Sequence, residues 1–164
     1  MSLAVAPSGD YVFSGGVDST IRCWVMPSPN VDPYDAYEPS VLGSTLSGHA
    51  DAVWGLSYHG PKQQLLSCSA DGTVKLWKPS NRTQPLVRTF GASAGEDRVP
   101  TSVDWIYSDP AHMVAAYNNA ACIIYDLETG KPVIKLDTVM MIILLSKMNL
   151  VNSLSIIRSR PRWA

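Results

Sequence analysis

The sequence predicts an all-β chain: about three groups of four short antiparallel strands in succession, followed by a tail of different character. Three observations carry this. An internal repeat brings Ser14, Asp18 and Trp24 back as Ser67, Asp71 and Trp77, each shifted by 53 residues. Three polar or aromatic residues kept in one spacing are hard to produce by accident, and such a period marks a repeat architecture. The second copy, Leu65 to Lys78, reads LLSCSADGTVKLWK. Two strand-like runs joined by a tight Asp-Gly turn are a strong hairpin signal. A third copy is eroded, with Tyr125-Asp126 in the Trp place, Asn119 in the Asp slot and Ala115 in the Ser slot.

Taken in order, Leu3 to Asp10 reads as a first strand and its turn, and YVFSGGVDSTIRCW as the hairpin that follows. Residues 1–46 form an incomplete first unit, interrupted by an insertion from Met26 to Gly43. The insertion contains Pro27, Pro29, Pro33 and Pro39. Prolines at that density reject helix and inner strand and favour an extended or turned loop. Ser44-Thr45-Leu46 then finishes the unit. Residues 47–90 form the complete unit, with strands expected at Ala52 to Tyr58, Leu65 to Ser69, Thr73 to Lys78 and Pro85 to Phe90. Residues 91–138 form the degenerate unit, with strands at Thr101 to Tyr107, Met113 to Tyr117, Ala121 to Tyr125 and Pro132 to Leu136. Glu128-Thr129-Gly130-Lys131 suits the last hairpin turn.

The pattern stops at about Val139. Residues 139–164 are apolar and basic, and Met141, Leu144, Leu145, Met148, Val151 and Leu154 recur at helical spacing. An amphipathic helix on a surface or a partner is one reading of this tail. A spanning segment is another, opposed by Lys147, Asn149 and Asn152 well inside it, each costly in hydrocarbon. A tail unrelated to the repeats, as left by alternative splicing or a truncated gene model, is the third.

Composition narrows the function. The chain has 164 residues, enough for one domain with a sizeable core. Apolar content of 46% is ordinary for a globular protein, while 16% charged is low and points to extensive cover. Up to Thr138 there are 9 basic and 14 acidic residues, and from Val139 on 4 basic and none acidic. The body therefore offers no basic footprint for nucleic acid. Cys23, Cys68 and Cys122 stand singly in strand-like runs without a Cys-x-x-Cys pair, which favours reduced, buried thiols.

The residue types of a nucleophilic hydrolase are present in His49, Ser67 and Asp71. No glycine elbow surrounds Ser67, which weakens that reading. His59 and His112 lack metal-ligand companions at useful spacing and read as surface or loop histidines. Asp32, Asp35 and Glu38 lack the spacing of a calcium loop, and no glycine-rich phosphate cradle is present. No cofactor, metal or small-molecule substrate is expected. For binding, Ala50, Ala52 and Ala70 make a poor rim, since hot spots are usually Trp, Tyr or Arg. Tyr34, Asp35, Tyr37 and Glu38 in the insertion are the better partner-binding candidates, against the alternative of a strap packed over its own unit.

Gly48-His49 upstream and Trp77 at the end make the second copy resemble one blade of a WD-repeat β-propeller, which spans roughly 40–45 residues. The resemblance implies a partial propeller, an open arc of about three blades. It also implies that His49, Ser67, Asp71 and Trp77 form a structural hydrogen-bonded tetrad, with Ser14, Asp18 and Trp24 a partial one lacking its histidine. The slot for that missing Gly-His falls ahead of Met1, so the chain is expected to begin inside a blade.

More narrowly, the insertion from Asn30 to Leu42 resembles the segment that striatin-family proteins carry in this place. So do Asp51 to Leu56, Leu65 to Thr73, Pro100 to Asp104 and Asp109 to Val114. This resemblance implies a non-enzymatic, cytoplasmic scaffold that gathers phosphatase and kinase components and touches membranes only peripherally. Caveolin-binding, coiled-coil and calmodulin-binding segments of the family are not visible here and are not carried over. The alternatives are a serine hydrolase using Ser67 and His49, or a truncated product without function. Three blades leave two flanks with apolar surface, so the isolated chain is expected to be marginal or prone to aggregate.

Overall fold

The computed structural model describes residues 2–26, 41–91 and 98–136, and every regular element among them is a strand. Sheet 1 contains β1 (Ser2–Val5), β2 (Tyr11–Gly15), β3 (Ile21–Val25) and β4 (Leu42–Leu46). Sheet 2 contains β5 (Val53–His59), β6 (Gln64–Ser69), β7 (Thr73–Trp77) and β8 (Leu86–Gly91). Sheet 3 contains β9 (Pro100–Trp105), β10 (His112–Tyr117), β11 (Cys122–Asp126) and β12 (Pro132–Leu136). Each sheet is an antiparallel meander in chain order, and the three are separate, open sheets. Among the described residues, no helix is long and apolar enough to cross a membrane.

The sheets stack face to face, with β5 beside both β1 and β9. Leu65 and Trp77 of sheet 2 pack with Phe13, Ile21, Cys23 and Leu46 of sheet 1. From the opposite face, Leu66, Val74, Leu76 and Phe90 pack with Val103, Trp105, Met113 and Tyr125 of sheet 3. This explains a contrast between strands. A strand covered on one face alternates, as β10 does, whereas β6 is buried at every residue from Leu65 to Ser69.

The three central hairpins share one turn geometry. Ser19, Gly72 and Ala120 occupy the same place in their turns and all have positive φ, at 62°, 82° and 61°. Only sheet 2 meets that conformation with glycine, which adopts it without a Cβ clash.

Two expectations are corrected. Leu42 and Gly43 belong to β4 rather than to the insertion, because Leu42 pairs with Trp24 across a register shift. His59 is buried, not a surface histidine: its ring lies 4.9 Å from that of Trp105, and its Nδ1 accepts the Lys62 N–H at 3.2 Å. The packing of sheet 3 against β5 covers it. The helical and spanning readings of residues 139–164 lie outside the described residues, as do Tyr34, Asp35, Tyr37 and Glu38.

Candidate functional site

The most organised polar cluster lies at the end of sheet 2 that faces sheet 1. Residues from the Gly48-His49 loop, β6, the Asp71 turn and β7 converge there. The Trp77 indole N–H donates to Ser67 Oγ at 2.7 Å. Ser67 Oγ also lies 2.7 Å from His49 Nε2, and His49 Nδ1 lies 2.8 Å from Asp71 Oδ2. Only one tautomer satisfies every member. Nδ1–H must face the carboxylate, so Nε2 accepts the Ser67 hydroxyl proton, and the hydroxyl oxygen accepts from the indole. Gly48 is required by close approach, since a Cβ there would meet Trp77 Cη2 at 3.1 Å.

Asp71 anchors the chain. Its Oδ1 accepts from the Thr73 N–H at 2.9 Å and the Thr73 hydroxyl at 2.6 Å. Its Oδ2 accepts from the Ala50 N–H at 2.9 Å in addition to His49. Burial pushes this carboxyl up, but the bonds from Thr73, the Ala50 N–H and His49 outweigh it and hold the group down at about 2. Burial also lowers the His49 pKa; Asp71 opposes this without overcoming it, so the ring stays neutral. Beneath the turn, Ser69 Oγ donates to the Asp51 carbonyl at 2.9 Å and accepts the Asp71 N–H at 3.1 Å. Sequence reasoning missed Thr73 and Ser69. A Thr two residues after a turn Asp is the signal that finds the first, because it closes an Asx-type turn.

Sheets 1 and 3 carry different solutions at equivalent places. In sheet 1 the Trp24 indole N–H donates to Ser14 Oγ at 2.8 Å. Asp18 instead accepts from the Thr20 N–H and hydroxyl and pairs with Arg22 at 2.6 Å. The structure therefore brings Ser14 and Trp24 together and leaves Asp18 apart from them; with no histidine in this sheet, no ring bridges the gap. In sheet 3, Ala115 removes the acceptor. Tyr125 in the Trp place bonds Tyr117 hydroxyl to hydroxyl at 2.7 Å, a buried pair. Burial and that bond raise the Tyr117 pKa. Asn119 still caps its turn, accepting the Ala121 N–H at 3.2 Å.

Chemically, the Ser67–His49–Asp71 order reproduces the connectivity of a hydrolytic triad, but Ser67 is 0% exposed. Attack on a carbonyl needs the reacting atoms about 3–3.5 Å apart. A hydroxyl sealed between Trp77 and His49 leaves a substrate no such approach. Among the described residues, no group of three or more His, Cys, Asp or Glu side chains is placed to hold a metal.

What the sheet does display lies at the start of β5 and in the neighbouring turn of sheet 1. Ala52 is buried rather than part of the expected rim. Trp54, at the start of β5, is 49% exposed, and Val17 in the neighbouring turn is also exposed. The Val53 N–H bonds the Gly16 carbonyl at 3.0 Å, which holds those two segments side by side. Sequence reasoning passed over Trp54 because an apolar residue in a strand reads as core.

Three stacked four-stranded meanders, two of them with the same Ser–Trp bond within the sheet, define a protein built of propeller repeats. Comparison with known proteins agrees: the family model for the WD domain, G-beta repeat, matches residues 1–25 and 40–78. The solved structure titled "Crystal structure of RRP9 WD40 repeats" superposes with a TM-score of 0.60 at 22% identity, covering 80% of this chain and 35% of that one. Striatin-3 of Bos taurus is 55% identical over 140 residues, 85% of this chain and 17% of its own length. Striatin-4 of Homo sapiens is 43% identical over 138 residues, 84% of this chain and 18% of its own length. The chain belongs to the striatin family and corresponds to WD-repeat sequence within it. It spans less than a fifth of the length of these relatives.

Proposed function

We propose that this chain is a non-enzymatic protein-interaction scaffold that helps bring phosphatase and kinase components together in the cytoplasm, with no more than peripheral membrane contact. One observation carries the reading. The only Ser-His-Asp chain among the described residues is sealed under Trp77, while Trp54, in β5 of the same sheet, stands 49% exposed. Exposed Trp is the residue type most enriched at binding hot spots. Family membership supports the same direction. Tyr34, Asp35, Tyr37 and Glu38 are proposed as a second contact region.

The test is affinity capture of the tagged chain from cell lysate, with the Trp54→Ala variant in parallel. Phosphatase and kinase subunits are expected with the parent chain and at several-fold lower yield with the variant. Their absence from a capture in which far-ultraviolet circular dichroism shows the sheets intact would overturn the proposal. A serine-directed phosphonate probe supplies the opposing arm. Labelling that disappears in Ser67→Ala would make the protein a hydrolase.

A further inference from the structure

The two junctions between sheets differ at the ends of the strands opposite the His49 network. Between sheets 2 and 3 the space is filled. The His59 ring lies 4.9 Å from that of Trp105 and 5.9 Å from that of Tyr107, and Lys62 Nζ donates to the Pro110 carbonyl at 2.6 Å. The registers Val5–Val12, Tyr58–Leu65 and Trp105–Met113 place Ala6, Tyr58 and Gly60 at the equivalent positions between sheets 1 and 2. Ala6 and Gly60 bring no ring, and a Cβ at Gly60 would meet Pro7 Cγ at 3.1 Å. A cavity of about 650 Å³ opens at this junction instead.

Largely apolar walls with a few free polar groups are the form of a ligand site. Tyr11, Phe13 and Tyr58 supply rings, with Phe13 and Tyr58 stacked at 5.0 Å, and Pro7, Pro61 and Pro79 complete the apolar lining. Burial, with Cys23 and Tyr11 close by, raises the Tyr58 pKa, so its hydroxyl keeps its proton and can donate. Among the described residues, neither tyrosine hydroxyl has a hydrogen-bond partner, and neither Asp10 nor Arg82 has an ion pair. Asp10 comes from the turn between β1 and β2 and Arg82 from the loop between β7 and β8. The cavity therefore carries a free acid on its sheet 1 side and a free base on its sheet 2 side.

We infer that this cavity binds a proline-rich segment of a partner protein in the polyproline II conformation, with a basic residue toward Asp10 and an acidic residue toward Arg82. Polyproline II makes no internal hydrogen bonds, so its carbonyls are free to accept from the two phenols. Its rings suit a groove lined by aromatic side chains, and its preformed shape costs little entropy to fix. The two charges complement the ends of the segment and set its direction. Trp54 stands at the start of β5 and Tyr58 near its end, so this contact is separate from the one at Trp54.

The test uses the full chain and two dye-labelled peptides built on a run of prolines, one with lysine before the run and glutamate after it, the other in reverse order. A glycine-serine peptide with the same charges is the control. Fluorescence anisotropy is expected to show saturable binding of one proline peptide, about tenfold tighter than of the other or of the control. Tyr58→Phe keeps the ring and removes the hydroxyl, and is expected to weaken binding about fivefold. Asp10→Arg combined with Arg82→Asp is expected to reverse the preference between the two proline peptides; both positions are exposed, so the exchange leaves the packing in place. Trp54→Ala is expected to leave this binding unchanged. No saturable binding by the parent chain, or equal affinity for the control, overturns the inference. So does a Tyr58→Phe variant that binds as the parent does, a charge exchange that keeps the parent's preference, or loss of binding in Trp54→Ala. Binding that appears only when residues 27–40 are replaced by a glycine-serine linker overturns it as well, because the cavity then belongs to that part of the chain. Measurement of the parent chain needs no substitution, so a variant that fails to fold does not shelter the idea.

Discussion

Replacing Ser67 with alanine removes one oxygen on which two buried groups depend. The Trp77 indole N–H and His49 Nε2 both sit 2.7 Å from it, and no water reaches either at a serine that is 0% exposed. A buried donor or acceptor left unpaired costs about 1–3 kcal/mol, so two together cost about 2–5 kcal/mol once their coupling is allowed for. Ser14 provides the internal control. It holds the same place in sheet 1 and accepts the Trp24 indole at 2.8 Å, but both residues are half-buried and no histidine leans on it. Ser14→Ala leaves one donor that can turn to solvent, a loss of about 0.5–1.5 kcal/mol. The assay is urea unfolding followed by tryptophan fluorescence at fixed protein concentration, since any self-association shifts the apparent stability. The expected result is a fall in midpoint for Ser67→Ala at least twice that for Ser14→Ala. Equal losses at the two serines, or a Ser67→Ala cost below about 0.5 kcal/mol, would refute the claim that the tetrad acts as one buried network.

Acid should dismantle the same network in two stages. His49 has a folded pKa below the ordinary 6.5 and Asp71 one of about 2 against 3.8, so in both cases the unfolded chain binds the proton more readily. Stability is then complete above pH 7 and falls as pH drops below 6.5. A second loss runs from pH 3.8 down to 2 and is worth about 2 kcal/mol for a carboxyl whose side chain is 9% exposed. Thermal melts across pH 2–8 read both stages, and His49→Ala should erase the first. In sheet 3, Tyr125→Phe strands the Tyr117 hydroxyl and should cost about 1–2 kcal/mol, whereas the double change to Phe at 117 and 125 should recover most of it, because removing both partners leaves nothing unpaired. A double variant no better than the single would contradict the pairing. Cys68, wholly buried and with its pKa raised to about 12 by burial, should resist alkylation at pH 8 until denaturant is added. Labelling of Cys68 in the folded protein would refute that placement.

Much of this was legible because the signals are local. The hairpin Leu65 to Trp77 carries its own turn, alternation and closing aromatic, and its strands fall within a residue or two of where those cues put them. The eroded third unit was readable only through the spacing of Tyr125 and Asn119, yet its four strands fold as a full sheet. What stayed hidden depends on neighbours far away in the chain. Nothing near His59 tells that Trp105 will cover it, 46 positions later. Nothing near Tyr117 tells that it will take up the hydroxyl of Tyr125 once Ala115 has removed the serine. Asp18 shows the reverse failure. A residue in the right slot was expected to join a network, but without a histidine it turned to Arg22, its nearest cation.

The double-sided burial of sheet 2 has a consequence for synthesis. Its strands run without interruption from Val53 to Gly91, so it can form from local contacts and then offer a template to each side. Sheet 1 leaves the ribosome earlier, ending at Leu46, and has no cover for Phe13 and Ile21 until Gly91 emerges. At about 5–20 residues per second that interval lasts roughly 2–9 s. For those seconds the nascent chain presents a half-built apolar face, which is the time in which a chaperone or a second nascent copy would find it.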